Sequence, residues 1–119
     1  MSLHARVLIV DSSRESREIL RTLLQRQGAQ TLEAAGARRA NELALHEQPD
    51  VIVFDEDSDR SPRQEATYDL GATASRRDIP IVVLGTVRRC LSPFPVGELV
   101  KKPYHYGPLI RRIEELLGE

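Results

Sequence analysis

Pro49-Asp50-Val51-Ile52-Val53-Phe54-Asp55 is the stretch that decides the fold. An apolar run rich in β-branched residues, opened by a Pro-Asp break and closed by an acid, predicts a short strand buried on both faces. Two further runs share this character. Val7-Leu8-Ile9-Val10 ends at Asp11, and Ile81-Val82-Val83-Leu84 ends at Gly85-Thr86. Helical patterns lie between and after them. Arg14 to Gln27 repeats Ile19, Leu20, Leu23 and Leu24 at helical spacing, with Ser13 as its cap and Gly28 as its stop. Ala37 to His46 places Ala40, Leu43 and Ala44 on one face, and a third helix is expected from about Gln64 to Ser75. Pro108 is expected to start a last helix striped with Leu109, Ile110, Ile113, Leu116 and Leu117. Thr31 to Ala34 and Glu98 to Lys101 complete five strands. Residues 87–97 contain Pro93 and Pro95 and resist a helical reading. Strands alternating with helices give an α/β fold, an open parallel sheet covered on both faces.

The chain has 119 residues, 40% of them hydrophobic and 29% charged, which suits one globular domain over residues 1–119. Seventeen basic residues against eighteen acidic give a net charge of −1, so direct nucleic-acid binding and membrane attachment are not expected. With no long apolar span, no signal-peptide core and a single cysteine, the expected location is cytoplasmic. Cys90 is read as an inert thiol. His4, His46 and His105 are read as surface residues, since none has a ligand partner at metal-binding spacing. The Arg-Arg pairs are read as solvated. Met1-Ser2-Leu3 and Glu119 are compatible with cloning remnants, in which case the domain was cut from a longer protein.

Ligands of open α/β sheets bind beyond the carboxyl ends of the strands. That rule selects Asp11, Asp55, Gly85-Thr86 and Lys102. Each alone reads most simply as a turn, a cap or a solvated charge. Together they are a chemical constellation. Crowded carboxylates favour protonation or bind a divalent cation. A lysine offers a point charge to a phosphoryl oxygen, and a carboxylate can accept a phosphoryl group as an acyl phosphate. The expectation is a metal-assisted phosphoryl acceptor with Asp55 as nucleophile.

These segments resemble the receiver domain of two-component response regulators over essentially the whole chain. Val7 to Asp11 resembles the first strand and its acidic end. Pro49 to Asp55 resembles the phosphoacceptor strand, Ile79 to Leu84 the fourth strand, and Lys102-Pro103-Tyr104 the Lys-Pro-aromatic signature. The resemblance implies a flavodoxin-like doubly wound sheet of order 2-1-3-4-5. It implies phosphorylation of Asp55 by a histidine kinase or phosphotransfer protein with Mg2+, and Lys102 binding the phosphoryl group. It implies a signalling acceptor, not an enzyme, that acts on a downstream protein.

Departures from the family pattern are equally legible. Ser12 stands where a second acid usually binds the metal, so Mg2+ binding is expected to be weak or absent. Gly85 stands at the switch Thr or Ser, and Leu99 at the aromatic switch. The stretch from Gly85 to Lys102 is shorter than usual, so the fourth helix is expected to be shortened or absent. Asp57 could replace the charge that Ser12 lacks, although Glu56, Asp57 and Asp59 read more simply as a solvated acidic loop. Asp55-Glu56-Asp57 also resembles the Asp-x-Asp motif of haloacid-dehalogenase-type phosphatases, but here it ends the third strand and no later acidic pair follows. No P-loop or dinucleotide fingerprint is present. Two functions follow: a phosphoacceptor with impaired switching, or a phosphorylation-independent pseudo-receiver serving as a protein–protein interaction module.

Overall fold

The computed structural model describes residues 4–59, 63–85 and 97–118. Five parallel strands, β1 (Arg6–Val10), β2 (Gln30–Ala34), β3 (Val51–Asp55), β4 (Ile81–Gly85) and β5 (Gly97–Lys101), form one sheet in the order β2-β1-β3-β4-β5. The helices are α1 (Arg14–Arg26), α2 (Ala37–Glu47), α3 (Glu65–Arg76) and α4 (Tyr106–Leu116), with a 3-10 turn at Glu56–Ser58. This is the expected flavodoxin-like arrangement. The expectation about the fourth crossover, including Thr86, falls on residues 86–96 and lies outside the described residues.

The unbroken apolar strands are explained by two covered faces. Side chains alternate along a strand. Leu8, Val10, Ile52, Phe54, Ile81 and Val83 pack with Ala37, Ala40, Ala44, Leu70 and Ala74 of α2 and α3. Val7, Ile9, Val51, Val53, Val82 and Leu84 pack with Leu20 and Leu24 of α1 and Leu109 and Ile113 of α4. The central strand, β3, is buried from end to end. Alanines on α2 let it approach α3 closely, and Thr73 Oγ1 donates to Asn41 Oδ1 at 2.5 Å between the two helices.

Local signals hold where they have a mechanism. Ser13 caps α1 by accepting the Ser16 N–H at 3.3 Å. Gly28, with φ of 93°, leaves the helix in the left-handed region that suits glycine. The start of α4 differs from expectation: it begins at Tyr106, two residues before Pro108. A proline in the first turn is tolerated because N–H groups there have no intrahelical acceptor to lose. Among the described residues, no helix is long and apolar enough to cross a membrane.

Candidate phosphoryl-acceptor site

Parallel strands deliver their carboxyl ends to one rim. β1 lies beside β3 with Val10 opposite Phe54, so Asp11 and Asp55 emerge as neighbours. Gly85 pairs with Lys101, and the N–H of Lys102 donates to the Gly85 carbonyl at 3.0 Å. This anchors Lys102 at the same rim. Its Nζ lies 2.7 Å from Asp55 Oδ2 and 3.3 Å from Asp57 Oδ2. Asp11, Asp55 and Lys102 therefore stand at one rim, close enough for the charges of Asp55 and Lys102 to act on the Asp11 carboxyl.

Each carboxylate is also fixed by backbone. Asp55 Oδ1 accepts the Asp57 N–H at 2.9 Å, and Asp11 Oδ1 accepts the Ser13 N–H at 2.8 Å. Both acids are only 6% exposed. Burial pushes the Asp11 carboxyl above its ordinary range; the Ser13 N–H opposes the rise, Asp55 adds to it, and Lys102 and Arg17 oppose it. For Lys102, burial pulls downward, but the hydrogen bond and charge of Asp55, with help from Asp57, win and hold the ammonium above its usual value. Burial also raises the Tyr104 phenol, followed by Tyr106 and then the charges of Asp11 and Asp55. Tyr104 and Tyr106 meet edge to face, ring centroids 5.5 Å apart.

The other expected positions divide. Ser12 is exposed. Leu99 is half-buried against the α2–α3 side and borders a hollow of about 560 Å³ between β5 and α4. His4, His46 and His105 are exposed, as are the Arg38-Arg39, Arg76-Arg77 and Arg111-Arg112 pairs; Cys90 and Arg88-Arg89 lie outside the described residues.

The acidic loop is a correction. Asp57 is exposed, but Glu56 is 8% exposed and its side chain occupies the space beside Gly85. Asp59 accepts both the N–H and the Oγ1–H of Thr67, at 2.8 and 2.6 Å, and so pins the start of α3. Sequence reading grouped these acids because they are adjacent and polar. It also missed Arg17, which donates to the Asp11 carbonyl at 2.6 Å and lies 3.5 Å from Glu33. Its signal was its place one turn into α1, directly above the end of β1.

Among the described residues, no group of three or more His, Cys, Asp or Glu side chains is arranged to hold a metal ion. The site does offer two neighbouring carboxylates. Mg2+ commonly uses only one or two and keeps several waters, so this donor set fits a loosely held, largely hydrated ion.

No protein-family model matches the chain. Response regulator MprA of Mycolicibacterium vanbaalenii is 32% identical over 118 residues, a match spanning 94% of this chain and 50% of that protein. The chain thus covers about half the length of this curated relative. The signal receiver domain of a histidine kinase from Syntrophus aciditrophicus superposes with a TM-score of 0.81 at 23% identity, covering 96% of this chain and 90% of that one. Chemotaxis response regulator CheY4 of Vibrio cholerae gives 0.80 at 23% identity, covering 94% and 98%. A structure described as a streptococcal redox sensor evolved from two-component response regulators gives 0.77 at 18% identity, covering 96% and 51%.

Proposed function

Taking the chain as a response regulator receiver domain, in fold and in sequence relationship, we propose that Asp55 accepts a phosphoryl group from a histidine kinase or phosphotransfer protein. The observation that carries this reading is the 2.7 Å contact between Lys102 Nζ and Asp55 Oδ2 at the rim where Asp11 also emerges. In the transfer, an Asp55 carboxylate oxygen bonds to phosphorus. The bond from phosphorus to the donor's imidazole nitrogen breaks, and the imidazole leaves with the electron pair. Lys102 stays beside the acceptor and neutralises charge on the phosphoryl oxygens. Arg17 steadies the backbone of Asp11. Asp11 and Asp55 would hold Mg2+, and the ion would supply further positive charge to the transferring group.

Conventional switching is expected to be impaired. Gly85 has no hydroxyl to follow the phosphoryl group, and Leu99 cannot report such movement by hydrogen bonding. The second reading, a phosphorylation-independent interaction module, draws on the same features and on Ser12. The streptococcal redox sensor is a precedent for a receiver-like fold in another role. Incubation with acetyl phosphate and Mg2+, followed by intact-mass analysis, separates the two. The first reading expects one phosphoryl group on the wild type and none on Asp55→Asn. A wild type that gains nothing favours the interaction module.

A further inference from the structure

Two residues of β2 meet α1, and both are polar. Parallel pairing sets Thr31 beside Val7 and Glu33 beside Ile9, and those aliphatic residues of β1 pack with Leu20 and Leu24 of α1. Thr31 Oγ1 accepts from Gln25 Nε2 at 3.0 Å. Glu33 is half-buried, and a charge partly shielded from water needs partners. α1 supplies two, one turn apart. Arg21 Nη1 lies 3.0 Å from Glu33 Oε2, and Arg17 Nε lies 3.5 Å from Glu33 Oε1. The two contacts differ in kind. Arg21 makes a hydrogen bond to Glu33. Arg17 Nε is buried and has no hydrogen-bond partner among the described residues. Its guanidinium is drawn instead toward the rim, where Nη1 donates to the Asp11 carbonyl at 2.6 Å. A buried donor left short of its acceptor calls for a reason, and the hold on Asp11 supplies one. Asp11 is fixed at three points. Its N–H donates to the Ala34 carbonyl at 3.1 Å, its carbonyl accepts from Arg17, and its Oδ1 accepts the Ser13 N–H. Two of these holds lead to neighbouring residues of β2, Ala34 directly and Glu33 through Arg17.

We propose that Glu33 and Arg17 are positioning residues for phosphoryl transfer: Glu33 orients the Arg17 guanidinium, and Arg17 fixes the main chain of Asp11 so that its carboxylate stands at the rim beside Asp55. This deepens the phosphoacceptor reading and rests on it. Neither residue touches the reacting atoms; both act through Asp11. A planar guanidinium meets two acceptors at a fixed separation, which a lysine ammonium does not reproduce. Placement matters here because phosphoryl transfer is catalysed mainly by positioning and electrostatics, and a small misplacement costs rate steeply. Asp11 would share Mg2+ with Asp55, so a loosened Asp11 is felt first as weaker use of Mg2+.

The test follows phosphorylation by acetyl phosphate over a series of Mg2+ concentrations, read by intact mass. An Asp55 oxygen bonds to phosphorus, the donor's P–O bond breaks, and acetate leaves with the electron pair. Arg17→Met and Glu33→Gln are compared with wild type; Arg21→Met is the control, removing an ion pair of Glu33 that does not reach Asp11. At limiting Mg2+ we expect Arg17→Met to gain the phosphoryl group about tenfold more slowly and Glu33→Gln about threefold. Both should approach the wild-type rate at saturating Mg2+, and Arg21→Met should stay close to it throughout. A second readout needs neither metal nor donor. In the metal-free protein, the Asp11 carbonyl 13C resonance is expected to move upfield in Arg17→Met, where its hydrogen bond is lost, and by less in Glu33→Gln. Wild-type rates in both variants overturn the inference and leave Asp55 as acceptor. Slowing that persists at saturating Mg2+, or that Arg21→Met shares, marks a general loosening of α1 and overturns it too. So does an Asp11 resonance that neither variant moves. A wild type that gains no phosphoryl group overturns the underlying reading and the inference together. Glu33→Gln keeps the side-chain volume and decides the question by itself where Arg17→Met does not fold.

Discussion

Asp11 is held at the rim against its own electrostatic preference. Its folded carboxyl lies above the ordinary value of 3.8, chiefly because it is buried. The folded state therefore binds that proton more tightly than the unfolded state. The resulting stability is fully present below the unfolded value and is lost as pH rises through the folded one. At neutral pH, with a chelator present, Asp11→Asn is expected to melt higher than wild type, and the gap to close as pH falls toward 4. Thermal scans across that range check this; an asparagine variant that is no more stable at pH 7 would contradict it. Lys102 has the opposite character. Among the described residues, Lys102→Met would leave the Asp55 carboxylate with the Asp57 N–H as its partner, and it is expected to cost about 1–3 kcal/mol in denaturant unfolding. Asp55→Asn in the same chain should recover part of that loss. A single variant as stable as wild type would show that the ion pair contributes nothing.

At the level of elements, the sheet is held by its central strands β3 and β4, which have no wet face. Phe54 fills the α2–α3 side of β3 immediately before Asp55, and it is 1% exposed. Phe54→Ala is expected to cost about 3–5 kcal/mol. It should also loosen the end of the strand that aims Asp55. Chemical denaturation gives the cost, and a loss under 1 kcal/mol would mean that the core closes over the gap. Such strands are easy to read in a sequence, because burial on both faces requires an uninterrupted apolar run. Ser13 and Gly28 were legible for a similar reason: each acts on a backbone group close to it in the chain. The start of α4 was less so, since a proline in a first helical turn does not say how many residues precede it. Glu56 was not legible at all. Its burial depends on an absent side chain at Gly85, twenty-nine positions further on, and only the β3–β4 register brings the two together.

For the molecule as a whole, three acids, Asp11, Asp55 and Asp57, stand near one lysine, and Ser12 supplies no fourth charge. A divalent ion is then only loosely favoured. Mg2+ is expected to raise the melting temperature only at millimolar concentration, where tenfold excess over the dissociation constant is worth about 1.4 kcal/mol. Asp57→Ala is expected to give the same titration curve, because the donors are Asp11 and Asp55; a variant that needs several times more Mg2+ would place Asp57 in the donor set. The convergence of Asp11, Asp55 and Lys102 was legible because parallel strands place their ends together, whatever the loops do. Backbone NMR of the wild type titrated with beryllofluoride and Mg2+, a stable mimic of the acyl phosphate, tests the whole account most directly. We expect amide shifts concentrated at Asp11–Ser13, Asp55–Ser58, Gly85 and Lys102. Spectra that do not change, or that change only away from this rim, would contradict it.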